Sequence, residues 1–241
     1  KIEKTGDRPS VAMIGHGHLD LGWLWPVSAS HYKTLHTLEQ QFALMREFPA
    51  HRFLWSQPQS FDWVRREMPA TWQRLAESAD RGALAVQGGM WVESDTNVPC
   101  GESLIRQMLY GTRFIREHFG REERMLWLPD VFGYSAALPQ LLRQFGIEYF
   151  MTTKITWNEY NRFPYETFQW HGLDGTAVLT HFSAGRNGPG PGAVTYNADL
   201  SPKVLRHGWD ALWVKDACPD FLVSFGWGDG GGGPDPEEIE S

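Results

Sequence analysis

Short apolar runs alternate with longer stretches of helical period along nearly all 241 residues, and few architectures accept that order. Residues 11–15 (Val-Ala-Met-Ile-Gly) lead straight into His16, a pattern that reads as a strand buried on both faces. Residues 27–48 follow with Leu35, Leu38, Phe42 and Met45 at helical spacing, closed by Pro49. Further strands are predicted at 53–55, 83–87, 124–128, 149–152 and 221–225. Helices are predicted at 60–68, 72–80, 101–119, 136–145 and 202–215. Segments 168–171 and 176–181 read as a hairpin turned by Leu173-Asp174-Gly175. The stretch 185–192, with four Gly and two Pro, reads as a loop.

This β-α-β-α order predicts an α/β fold, a parallel sheet with outer helices, either open or closed into a barrel. In both versions the C-terminal ends of the strands carry the chemistry. Polar clusters fall there in succession: His16–Asp20, Gln57, Gly88–Asp95, Asp130, Lys154 and Asp229.

Composition narrows the function. Hydrophobic residues make up 41% and charged residues 21%, a globular balance in a chain long enough for one sizeable core. Twelve Trp belong mostly to that core, but Trp also stacks on the apolar faces of sugar rings. A net charge of −7 argues against nucleic acid and against an anionic membrane surface. Cys100 and Cys218 stand far apart and form no disulfide framework, so a reducing, cytoplasmic setting is expected. No apolar run reaches membrane-spanning length, and no signal peptide opens the chain. The whole of 1–241 reads as one β/α domain of a longer protein, with 1–10 and 235–241 as flexible ends. Homo-oligomer formation stays open.

Three constellations carry chemistry. In extended chain, residues i and i+2 face one side, so His18 and Asp20 can offer an imidazole and a carboxylate to one ion, which suits zinc. A capping Asp beside a satisfied histidine is the equal alternative from this run alone. Asp130 follows a strand in Trp127-Leu128-Pro129-Asp130-Val131-Phe132-Gly133-Tyr134 and lies too far upstream to cap the next helix. Asp229 sits in Gly226-Trp227-Gly228-Asp229-Gly230-Gly231-Gly232-Gly233-Pro234, which lacks the Lys-Ser/Thr of a P-loop. Its place after a buried strand favours a site over a linker.

In this order and spacing the three constellations resemble glycoside hydrolase family 38, the α-mannosidases. Gly88–Asp95, Gly101–Gln107, Trp127–Gln140, Thr153–Asn158 and Asn161–Pro164 resemble that family too, so the likeness spans about residues 11–234. The run Gly228-Asp229-Gly230-Gly231 is similar to the branch of cytosolic and bacterial enzymes. The resemblance implies an irregular seven-stranded β/α barrel and a retaining α-mannosidase that hydrolyses terminal α-linked mannose through a glycosyl-aspartate. It implies His18, Asp20 and Asp130 as ligands of zinc, or of another divalent ion such as cobalt, with Asp130 also the nucleophile. Trp23 and Phe132 match aromatics of the sugar subsite, and Lys154 a basic residue beside the nucleophile. Asp229 lies near the general acid/base, although the other branch has a second Asp where this chain has Gly230. The family's fourth metal ligand, a histidine, falls beyond residue 241, and His171, His181 and His207 do not match it. The implied partner is a mannose-containing oligosaccharide, together with further C-terminal domains.

Around these, Glu93 and Asp95 read equally as substrate contacts or loop organisers. Glu102 reads as a first-turn helix acid, Arg162 as the partner of a surface acid, and His16 as either a support of the metal site or a core residue. Two other classes remain open on the residues. A metal-dependent amidohydrolase would use His16-x-His18 and need further histidines. A non-catalytic, Trp-rich carbohydrate-binding module would need no metal.

Overall fold

The computed structural model describes residues 10–157, 160, 161, 163–183, 195–212, 215, 218 and 220–240. The glycine–proline stretch at 185–192 lies outside them, as do Arg162 and residues 1–9. In chain order the strands are β1 (Val11–Gly17), β2 (Phe53–Trp55), β3 (Leu84–Val86), β4 (Met125–Leu128), β5 (Tyr149–Thr152), β6 (Thr167–His171), β7 (Ala177–Phe182) and β8 (Phe221–Phe225). The helices are α1 (Val27–Glu47), α2 (Pro58–Glu67), α3 (Pro69–Asp80), α4 (Gly101–Phe119), α5 (Leu138–Gln144), α6 (Pro202–Ala211) and α7 (Pro236–Glu240). Among the described residues no helix is long and apolar enough to cross a membrane.

The strands form two four-stranded sheets, ordered β3-β2-β1-β8 and β4-β5-β7-β6. The first is wholly parallel, with Gly15 paired to both Phe53 and Phe225. In the second only β6 runs antiparallel, as the predicted hairpin with β7. Gly175 turns that hairpin at φ 82°, a left-handed backbone that glycine adopts without steric cost. The parallel α/β fold is therefore as expected, but the ladders give eight strands in two sheets. Among the described residues no ladder joins one sheet to the other.

Side-chain alternation shows why the apolar runs are continuous. In β2, Phe53 and Trp55 pack outward with Leu38, Phe42 and Phe61 of the helices, while Leu54 points the other way. In β4, Leu126 and Leu128 join a core with Leu138 and Leu142 of α5, while Trp127 faces Leu54. Met151 of β5 completes that interior, with Ile14, Ala85 and Leu222 against it. The two sheets thus share one interior, while the start of β1, read from the sequence as buried on both faces, and one side of β6 stay exposed. Burying a side chain as large as Phe53, with no exposed surface, contributes roughly 2–3 kcal/mol.

Several helix ends shift from their predicted places. Pro58 and Pro69 each open a helix at a first-turn position, where a missing N–H costs nothing. α6 stops at Ala211, short of Lys215. The segment 235–240, expected to be loose, forms a helical turn in which Asp235 accepts a bond from the Glu238 N–H at 2.9 Å.

Candidate active site

The site is built at the C-terminal ends of the strands. β1 extends past its predicted end to Gly17, and the extended backbone continues through His18-Leu19-Asp20. Leu19, 1% exposed, enters the core below, so His18 and Asp20 turn to the opposite side, as the i, i+2 spacing predicts. They line a cavity of about 250 Å³ with Gln57, Glu93 and Asp130.

The glycine run holds this segment in place. Its backbone joins His18–Asp20 as an added strand would: the Asp20 N–H donates to the Asp229 carbonyl at 2.7 Å, and the Gly231 N–H to the His18 carbonyl at 2.9 Å. Thr37 and Gln41 of α1 bind the Gly232 amide and carbonyl. Gly231, Gly232 and Gly233 all have positive φ, and a Cβ at Gly233 would sit 2.6 Å from Phe53. The positive φ at Gly231, Gly232 and Gly233 favours glycine there, and the Phe53 ring leaves no room for a side chain at Gly233.

His18, Asp20 and Asp130 offer one ligand atom each within 4.8 Å of one another. His18 Nε2 is buried and faces Asp20 Oδ1 at 3.5 Å and Asp130 Oδ2 at 3.7 Å. The other side of the ring lies 2.7 Å from Glu93 Oε2. Burial pulls the His18 imidazole down, but Glu93, Asp20 and Asp130 outweigh it and raise its pKa to about 10. Three carboxylates converging on one imidazole make a site that favours positive charge. An imidazole with two carboxylates fits a borderline divalent cation.

Asp130 has a second cation on its other oxygen. Lys154, almost fully buried, places Nζ 2.6 Å from Asp130 Oδ1. Burial pushes the Asp130 carboxyl above its ordinary range, while Lys154 and His18 pull it back. Lys154 Nζ also lies over the rings of Trp157 at 3.4 Å and Phe132 at 4.7 Å. Asp229, in the left-handed region at φ 58°, accepts a hydrogen bond from the Tyr196 hydroxyl at 2.5 Å. The Tyr196 ring packs edge-on against His18, with centroids 5.3 Å apart. Burial, together with the Asp229 carboxylate, raises the Tyr196 phenol far above its ordinary pKa.

His18, Asp20, Asp130, Lys154, Asp229 and Phe132 therefore share one site. Trp23 stands at its edge, 58% exposed and edge-on to Trp25, whose indole N–H donates to the Asp20 carbonyl. Phe132, 75% exposed, and Trp227, 63% exposed, offer open ring faces. Sequence reasoning assigned no role to Tyr196, Trp157 or Trp227. Trp157 stands three residues after Lys154, across one 3-10 turn, a local spacing that was readable. Tyr196 gave no such signal.

The open alternatives resolve residue by residue. Glu93 contacts His18, whereas Asp95 organises its loop by accepting the Asn97 and Val98 amides. Glu102 pairs with Arg106 in the first turn of α4, as expected. His16 is buried with Nε2 on the Tyr196 carbonyl, and burial lowers its pKa to about 4, so it is a core residue. His171 bonds the Gly175 carbonyl and His181 the Thr167 hydroxyl. Among the described residues no second histidine joins the group.

A profile of the Glycosyl hydrolases family 38 N-terminal domain matches residues 8–241. Alpha-mannosidase G of Dictyostelium discoideum is 41% identical over 95% of this chain and 20% of its own length. An alpha-mannosidase of Saccharomyces cerevisiae is 40% identical over 96% of this chain and 21% of its own. The chain spans about a fifth of the length of these relatives. Among solved structures, an alpha-mannosidase from Enterococcus faecalis V583 has a similar fold, with a TM-score of 0.76 at 17% identity over 96% of this chain and 26% of its own.

Proposed function

Because the chain belongs to glycosyl hydrolase family 38, through its N-terminal domain, we propose that it supplies the catalytic centre of a retaining α-mannosidase. The substrate is a mannose-containing oligosaccharide with a terminal α-linked mannose. The observation that carries this reading is Asp130: a carboxylate at a strand end, held by Lys154 on one oxygen and facing His18 and Asp20 with the other.

Asp130 attacks the anomeric carbon as the bond to the leaving oxygen breaks, and Asp229 gives its proton to that oxygen. Water then attacks the same carbon, Asp229 takes a proton from it, and Asp130 is released, so two inversions retain the configuration. Lys154 keeps Asp130 ionised against the pull of burial. The Tyr196 hydroxyl stabilises the Asp229 carboxylate once its proton has left. Zinc, or another divalent ion such as cobalt, held by His18, Asp20 and Asp130 would supply Lewis-acid charge and a grip on the 2- and 3-hydroxyls of mannose. Trp23 and Phe132, both exposed, offer rings on which a pyranose stacks.

The rest of the reading follows from the family. The two sheets with their shared interior are the halves of an irregular seven-stranded barrel, with β6 as an outer appendage. A histidine beyond residue 241 completes the metal site, and further C-terminal domains complete the enzyme. A cytoplasmic setting is in keeping with Cys100 and Cys218, both free thiols.

Incubation of the protein with an aryl α-mannoside, with and without chelator, tests the reading. Chelator-sensitive mannose release is expected, and a 2-fluoro-mannosyl probe should label the peptide carrying Asp130. No release, or release indifferent to chelator, refutes the metal-assisted mannosidase. Labelling elsewhere refutes Asp130 as nucleophile.

A further inference from the structure

We propose that Glu93 is the positioning residue of His18: its carboxylate faces Nδ1, fixes the ring, and so aims Nε2 at Asp20 and Asp130. The inference rests on the reading above, that these three residues hold a divalent cation. An imidazole that gives Nε2 to a cation keeps its one proton on Nδ1, and a carboxylate opposite Nδ1 holds that proton and the ring in place. Here Glu93 Oε2 stands 2.7 Å from Nδ1, while Nε2 faces the two aspartates.

Both oxygens of Glu93 are turned inward. Oε1 accepts the Ser56 hydroxyl at 2.6 Å, and the side chain is only 6% exposed. That leaves no open oxygen for a sugar hydroxyl. Asp95, the other acid of the loop, accepts the Asn97 and Val98 amides on Oδ1.

The placement is fixed from the backbone upward. Gln57, at φ 69°, holds the Glu93 N–H on its side-chain oxygen at 3.2 Å and gives its own amide to the Leu19 carbonyl at 2.7 Å. One side chain thus ties the Glu93 loop to the residue between His18 and Asp20. Ser56 and Gln57 follow β2, His18 follows β1, and Glu93 lies on the loop after β3. Three neighbouring strands of the parallel sheet therefore deliver acid, imidazole and clamp to one place. The Tyr196 ring closes the remaining face of His18. An imidazole held this way reaches its ion without reorienting, and the carboxylate makes it a stronger donor.

The test titrates zinc alone and cobalt alone into metal-free wild-type protein and into Glu93→Gln, which keeps an oxygen acceptor but removes the charge. Glu93→Gln should weaken zinc binding about 10- to 100-fold and shift the visible bands of bound cobalt. Long-range ¹⁵N spectra of the zinc-loaded proteins should show His18 protonated at Nδ1 in both, with the Nδ1–H proton signal moved upfield in the variant as its charged acceptor is lost. Equal affinity with an unchanged His18 spectrum overturns the role of Glu93 and leaves the metal site standing. Wild-type protein that binds neither ion overturns both readings. If Glu93→Gln does not fold, Ser56→Ala carries the test, with a smaller weakening in the same direction expected and unchanged affinity overturning the proposal.

Discussion

Glu123 lies outside the catalytic cluster, yet it makes the stability of this fold sensitive to pH near neutrality. Its side chain sits under the end of β3, where the Gly88 N–H donates to Oε2 at 3.2 Å, and the residue is 6% exposed. Burial pushes its pKa from 4.5 to about 7, with the Gly88 amide and Arg121 only partly opposing. An acid whose folded pKa is raised holds its proton more tightly in the folded state. The resulting stability is fully present below pH 4.5 and is lost as pH rises through about 7. A shift of that size at about 1.4 kcal/mol per pKa unit corresponds to a loss of roughly 3 kcal/mol. Glu123→Gln keeps a carbonyl acceptor for Gly88 and removes the titration. Urea unfolding of both proteins between pH 5 and pH 8 should show wild type losing about 3 kcal/mol relative to the variant. Parallel stability curves across that range would refute the argument, because they would mean that water or a moving cation solvates the Glu123 carboxylate.

Other consequences can be measured directly. Asp130→Asn should lower kcat on an aryl α-mannoside by about 10⁴-fold or more, while circular dichroism stays native. Gly233→Ala should cost about 3 kcal/mol or more in thermal unfolding, since its Cβ would meet Phe53 at 2.6 Å. Gly82→Ala, at a similar positive φ but with nothing within 4 Å, should cost only about 1 kcal/mol. Zinc at 100 times its dissociation constant should stabilise the fold by about 2.7 kcal/mol, which a chelator reverses. A melting curve indifferent to both would count against the metal site.

Much of the fold was legible because it rests on local rules. Phe53, Leu54 and Trp55 face alternate cores, as a continuous apolar run predicts, but the run 11–15, read as buried on both faces, leaves Val11–Met13 exposed and buries only its later part. Proline and glycine placed the element ends to within a few residues, except where a proline opened a helix earlier than its apolar period. Strand closure was less legible, because hydrogen-bond partnership between distant strands leaves no periodic trace. The site divides in the same way. His18 and Asp20 follow from a two-residue spacing and Asp130 from its place after a strand. Glu93 and Asp95 were indistinguishable as letters, and only coordinates show one against His18 and the other against its own loop.

The sequence by itself determined the parallel α/β order, the strand ends that carry chemistry, and the carboxylates and imidazole available there. Only the tertiary structure decided that the Asp229 loop stitches onto His18–Asp20, that Tyr196 bonds Asp229, and that Lys154 pairs with Asp130. The physical reason is range. Side-chain periodicity and turn chemistry act over a few residues, whereas these contacts join segments brought together only when both sheets bury their shared interior.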